Sequence, residues 1–433
     1  MTSTAAAPAY LDESGHLKPG ATMADLSVRP DPWSFYAAVR RDDPIHYDPE
    51  LDMYLVTRFE DLQVVLADPL TFSVKHGYAE QFAKGFQEEW KEIINREGGG
   101  FFQDAIMNDP PYHTRIRRLL EGAFTAHRVK DLEPEIRAIM ADIIEKHADR
   151  GHADGVTDIA RPFTIRVICK QLGFEHINPE KVTEWSNAAV AQIGRMQDRE
   201  QMLVHARNYC EMQNFVIQLI NERRENRTED MISDLVHARI DDDENPTLDM
   251  GELVSLTRTL MVGGNDTTGT AVSNLIFALA TRPDIRKALE DSVDDDRALN
   301  RFVEEFLRLE PPVQALSRMT TREVDVNGIK LPRGAHLLNI YPSGNMDEAV
   351  FPNPRSFDHT RNNLARHLTF GAGTHRCAGL ALARMEVKVA AAELIRRLDN
   401  FKLEAPVESL QFMSGVSLRA YLNVPISFTR RKA

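Results

Sequence analysis

Phe370-Gly371-Ala372-Gly373-Thr374-His375-Arg376-Cys377-Ala378-Gly379 stands directly before LALARMEVKVAAAELIRRL, a run of good helix formers over residues 380–398. The pattern is a glycine-punctuated loop that delivers one cysteine to the start of a helix. Backbone N–H groups and the positive end of the helix dipole stabilise a thiolate there. Small neighbours let such a thiolate approach a flat macrocycle, and Gly373 and Gly379 are expected to supply the room. Two other readings stay open at this point. A lone cysteine is commonly a buried, inert thiol, and a cysteine hydrolase would pair Cys377 with a distant histidine. His375 is a poor base for that role, since two residues on a tight loop point their side chains apart.

Working outward, the 433-residue chain carries a formal net charge of −13, with 42% hydrophobic and 27% charged residues. This is an ordinary globular composition. Acidity on this scale argues against nucleic acid as a partner, which needs concentrated positive charge. The three cysteines, Cys169, Cys210 and Cys377, include no C-x-x-C pair and no secretory spacing, so reduced thiols in a cytoplasmic protein are expected. The first twenty residues lack a basic stretch followed by an apolar core. Nor does any segment offer about eighteen uninterrupted apolar residues, so no membrane anchor is expected.

No repeat or low-complexity linker divides the chain. The working organisation is a flexible N-terminal segment over residues 1–30 and one domain over 31–433. Residues 32–41 read as a helix, followed by short strands at 45–47 and 53–57 joined by a turn at 48–52. From His113 onward apolar residues recur at helical steps, through Ile116, Leu119 and Leu120 and then Ile136, Met140 and Ile143. Strands return near residues 324–329, 336–340 and 418–428, so the fold class is mainly α with a minor β-sheet. The stretch 72–108 fits no element cleanly and is expected to be a binding loop or lid.

In the form F-x-x-G-x-x-x-C-x-G, the cysteine loop resembles the haem-binding loop of the cytochromes P-450. Three further signatures of that family stand upstream in the expected order. Gly263-Gly264-Asn265-Asp266-Thr267-Thr268 lies within an apolar helical stretch. Adjacent mid-helix glycines cost about 1 kcal/mol each relative to alanine, which points to a ligand lying against the backbone, while a Thr hydroxyl can bond a helix carbonyl. Asp266 is an ionisable group in apolar surroundings, where burial suits it to relay protons. Alone, the segment is equally a packed helix with a solvent-facing Asp; the resemblance makes Asp266 and Thr267 the catalytic acid and alcohol.

The second signature, Glu305-Phe306-Leu307-Arg308, would by itself be a surface ion pair worth ~0.5 kcal/mol. The resemblance makes Glu305 and Arg308 a buried structural pair. The family commonly adds an arginine in a Pro-x-Arg-Phe step, but here Ser356 stands at that place, with Arg355 and Arg361 as substitutes. The third signature, His113-Thr114-Arg115-Ile116-Arg117, puts His113 and Arg117 on one helix face. With Arg318 and His375 they match the positions that hold the haem propionates.

The resemblance therefore implies a single-domain fold of the cytochrome P-450 type, with haem b between the central helix and the cysteine loop. Cys377 would be its axial thiolate, and Gly263, Gly264, Phe370 and His375 would be haem contacts. It implies insertion of oxygen from O2 into a hydrophobic small molecule, giving an alcohol, an epoxide or a dealkylated product. No flavin, nicotinamide or iron–sulfur motif is present, so electrons would come from a ferredoxin and an NAD(P)H-dependent ferredoxin reductase, as in the bacterial enzymes. Arg115, Arg118 and Arg376 are candidates for that docking patch. A haem-thiolate sensor would need a signalling segment, and none is visible.

Overall fold

The computed structural model describes residues 9–25, 27, 28, 31–79, 86–123, 130–191, 198–241, 244–413 and 415–432. These form two compact units. The first takes its residues from Met1–Tyr78, Glu304–Cys377 and Val407–Ala420, and the second from Ala79–Val303, Ala378–Pro406 and Tyr421–Ala433.

In the first unit a five-stranded sheet runs in the order Ile45–Asp48, Met53–Val56, His336–Ile340, Ala315–Thr320, Phe72–Ser73. The pairings are antiparallel except that of Met53–Val56 with His336–Ile340, where Leu55 faces Leu338. Alternation along the strands covers both faces. Val56 and Leu337 join Phe59, Leu62, Phe351 and Leu368 on one side. Met53, Leu55, Leu338 and Ile340 join Phe35, Tyr36 and Val39 of helix Trp33–Asp42 on the other. The hairpin turns at Asp52, whose φ is +55°, and the Asp48 carboxylate accepts the N–H groups of Glu50 and Leu51. It also accepts the Met23 N–H at 2.7 Å, and Tyr10, Ala21 and Met23 pack into the second of these apolar clusters.

The second unit is helical around Met250–Thr281, a 32-residue helix opened by a reciprocal Asp249–Glu252 capping box. Against it pack Arg161–Leu172, Pro179–Ala191, Arg199–Glu225, Leu380–Arg397 and the π-helical turn Gly155–Ala160. A three-stranded sheet, His152–Asp154, Pro425–Arg430 and Leu398–Leu403, closes this unit. The fold is thus mainly helical with small sheets, as expected.

Local expectations shift in three places, the first being residues 324–329, where the expected strand is instead the antiparallel pair Val324–Val326 and Ile329–Leu331 turned at Asn327 and Gly328. The stretch 72–108 is not irregular throughout: it contains strand Phe72–Ser73 and helices Val74–Ala79 and Gln87–Glu97, while residues 80–85 lie outside those described. Trp90, Ile93 and Ile94 form a single buried stripe on Gln87–Glu97. Three apolar residues in an otherwise polar run are a weak periodic signal. The tail strand is Pro425–Arg430, whereas Leu418 makes only an isolated bridge with Val313.

Candidate active site

The cysteine loop is held by its own backbone. Gly371 N–H donates to Leu368 O at 2.8 Å, Arg376 N–H to Gly373 O at 3.1 Å and Cys377 N–H to Phe370 O at 2.9 Å, with a 3-10 turn over Gly373–His375. Gly373 sits at φ +65°, and a Cβ there would overlap the Leu66 carbonyl. Its small size therefore serves the packing of the loop against helix Phe59–Ala67. At Gly379 a Cβ would meet nothing.

Behind the loop lies a buried brace. Arg308 and Glu305 are fully buried and paired through two bonds of 2.7 and 2.8 Å. Arg308 also donates to Asn345 O and Pro354 O, both at 2.8 Å. The third member is Arg361, whose Nε donates to Glu305 Oε1 at 3.0 Å; Arg355 instead stacks on Trp33, 4.6 Å from the ring centroid. Asn345 connects brace and loop. Its Oδ1 accepts Leu368 N–H at 2.6 Å, its Nδ2 donates to Thr369 Oγ1 at 3.0 Å, and Thr369 Oγ1 donates to Leu307 O at 2.8 Å. Sequence reading missed Asn345 because a lone asparagine carries no spacing signal. Arg318 is buried on strand Ala315–Thr320 and donates to Ser317 O at 2.8 Å, with Gly77 lying so close that a Cβ there would be 2.7 Å from Arg318 Cα.

In the second unit the central helix is buried on most sides, but Thr259, Gly263 and Thr267, at four-residue steps, share a partly accessible stripe. The two glycines divide their work. A Cβ at Gly264 would lie 2.9 Å from Ile168 Cδ1, so Gly264 serves helix packing, whereas at Gly263 a Cβ would meet open space. Thr267 Oγ1 donates to Gly263 O at 2.7 Å, leaving its lone pairs as acceptors on that stripe. Asp266 turns toward helix Pro179–Ala191, where Ser186 Oγ donates to Oδ2 at 3.3 Å. Burial pushes the Asp266 carboxyl up to about 6, opposed by the Ser186 bond and the charge of Arg161.

Helix Tyr112–Ala123 carries His113, which is buried, and Arg117, which pairs with Glu121 at 2.6 Å. The docking patch needs a correction. The Arg115 side chain is 13% exposed, pairs with buried Glu252 and donates to Asn245 O and Thr247 O, so it is spent on internal structure. Arg118 and Arg376 are exposed.

The thiols distinguish themselves by environment. Burial pushes Cys169 up to about 12 and Cys210 up to about 11, so both stay neutral, while Cys377 is exposed. Among the described residues no three His, Cys, Asp or Glu side chains cluster to hold a metal ion. The donor chemistry of the exposed Cys377 thiol on its glycine loop fits the axial ligand of a haem.

One accessible thiol on a braced glycine loop, in a helical protein with small sheets, fits a haem-thiolate protein. The profile of the Cytochrome P-450 family matches residues 52–422, and the chain belongs to this family of monooxygenases. Over 417 residues it is 32% identical to Cytochrome P-450 130 of Mycobacterium tuberculosis, covering 94% of this chain and 97% of that one. It is 32% identical to the mycinamicin IV hydroxylase/epoxidase of Micromonospora griseorubida, covering 87% and 89%. The structure of CYP109Q5 from Chondromyces apiculatus superposes with a TM-score of 0.82 at 28% identity, covering 95% and 99%. Membership implies a haem bound through a cysteine thiolate. Among the described residues no helix is long and apolar enough to cross a membrane.

Proposed function

We propose that this protein hydroxylates, epoxidises or dealkylates a hydrophobic small molecule in the cytoplasm, with Cys377 as the thiolate ligand of haem b. Electrons come from a ferredoxin and its NAD(P)H-dependent reductase. The observation that carries the reading is that Cys377, alone among the three cysteines, is exposed, at the end of a loop locked by its own backbone and tied to the buried brace.

When bound, the haem supplies reductive activation of O2 and transfer of one oxygen atom to the substrate. The chain supplies the rest. The loop N–H bonds fix the direction from which the Cys377 sulfur approaches. His113, Arg117, Arg318 and His375 would hold the propionates of a bound haem through charge-assisted bonds, and Phe370 and Gly263 would provide apolar contact and space. Asp266, with a carboxyl poised at about 6, can take and give a proton near neutral pH, and the Thr267 oxygen stands one residue further along the helix to accept it. Half-buried Leu260 and Val262 flank Gly263 and favour an apolar substrate. The hydroxylase/epoxidase named among the relatives supports the reaction type. Arg118 and Arg376 are the remaining docking cations.

The test is Cys377→Ala. It should lose the thiolate-type ferrous carbon monoxide band and all turnover; an unaltered band in that variant would overturn the assignment. Ligands that convert the ferric spin state then identify the substrate class.

A further inference from the structure

Resting on the reading of Asp266 as a proton carrier, we infer that Ser186 and Asn265 are positioning residues: they hold the Asp266 carboxyl against helix Pro179–Ala191 and set the pH at which it exchanges its proton. Proton delivery is thereby coupled to the contact between that helix and the central one.

The cluster is built from three helices. Ser186 Oγ donates to Asp266 Oδ2, Asn265 Nδ2 donates one hydrogen to Asp266 Oδ1 and the other to Ser186 Oγ, each at 3.3 Å. Asn265 Oδ1 accepts from Thr164 Oγ1 at 3.0 Å. Thr164, Ser186 and Asn265 are all buried. The amide has one sensible orientation, because turning it over would set its carbonyl oxygen against the carboxylate. Among the described residues every partner in direct contact is uncharged, and the charge acting on the carboxyl is that of Arg161, on the same helix as Thr164.

Neutral partners matter for a group that must exist in two protonation states. A directly paired Lys or Arg would lock the carboxylate, whereas a serine hydroxyl donates to the ionised form and turns to accept from the protonated one. Burial favours the protonated form and the Ser186 bond the ionised one. Of the two bonds to the carboxyl, the one from Ser186 crosses to helix Pro179–Ala191, while the one from Asn265 stays within the central helix.

The experiment is an infrared pH titration of the holoenzyme, following the carbonyl stretch of the protonated Asp266 carboxyl, identified as the band missing in Asp266→Asn. Ser186→Ala removes a donor to the ionised form and should raise the midpoint by about one pH unit. Ser186→Thr should restore it. The solvent deuterium isotope effect on product formation should move along the pH axis with the midpoint. Should Ser186→Ala fold poorly, Thr164→Val, which frees the Asn265 amide, should produce a smaller rise in the same direction. An unmoved midpoint in both variants, or a threonine variant displaced as far as the alanine one, overturns the inference. Full turnover with complete coupling in Asp266→Asn overturns the proton-carrier reading instead, and the infrared midpoint tells the two failures apart.

Discussion

Arg361 donates through Nε to Glu305 Oε1 at 3.0 Å, onto a carboxylate that already accepts two bonds from Arg308. Glu305 is therefore compensated by two guanidinium groups in a buried site. Its Oε1 also accepts the Asp358 N–H at 2.9 Å, and Arg361 donates on to Pro352 O, Asn353 O and Ser356 O. The arginine that the sequence lacks at Ser356 is supplied five residues later.

Arg361→Ala leaves the Glu305 carboxylate short of one partner and three backbone carbonyls without their donor. The expected loss is about 3 kcal/mol, read as a lower denaturant midpoint with accelerated loss of haem. Arg355→Ala, which removes a ring contact with Trp33, should cost under about 1 kcal/mol.

Asn345→Ala separates the cysteine loop from the brace. It removes the acceptor for Leu368 N–H and the donor to Thr369, and a buried unsatisfied N–H costs about 1–3 kcal/mol. The carbon monoxide spectrum should show a growing fraction of the inactive, non-thiolate form on mild heating, while Cys377 itself is untouched.

Asp266 makes stability depend on pH in a direction opposite to that of a salt-bridged carboxylate. Its folded value, about 6, lies above the ordinary 3.8, so the folded state binds more protons between those values and loses stability as pH rises through them. Above pH 6 the penalty is full, on the order of 2–3 kcal/mol. Asp266→Asn should accordingly be more stable than the parent at pH 8 and equal to it near pH 3.5, in chemical denaturation at the two pH values. The same variant should be slowed in turnover at pH 7.

Gly263→Ala and Gly373→Ala should diverge. At Gly263 a Cβ meets open space inside a helix, so alanine should stabilise the fold by up to about 1 kcal/mol and weaken substrate binding measured by the spin-state shift. At Gly373 it meets a backbone carbonyl at positive φ, and a loss of about 2 kcal/mol or more is expected in thermal or chemical unfolding.

Two of the three arginines expected together at the docking patch should also part. Arg118→Glu should slow ferredoxin-dependent reduction at low salt without altering haem content. Arg115→Glu should instead destabilise the protein, because it sets a second carboxylate against buried Glu252; stopped-flow reduction and denaturation together separate the effects.

The sequence by itself determined the class of this protein. Helical periodicity, the glycine loop and the order of the Gly-Gly-x-Asp-Thr, Glu-x-x-Arg and cysteine motifs all reside in residues close together along the chain. Local conformation is set by neighbours a few positions away, and such patterns survive being read as a string. Tertiary structure alone decided partners. Arg361 rather than Arg355 completes the Glu305 site, Gly264 and Gly373 serve packing, Arg115 turns inward, and Ser186 on another helix faces Asp266. Each of these depends on which surfaces meet across tens or hundreds of residues. Burial and hydrogen-bond pairing at that range arise from packing, and residue spacing does not encode them.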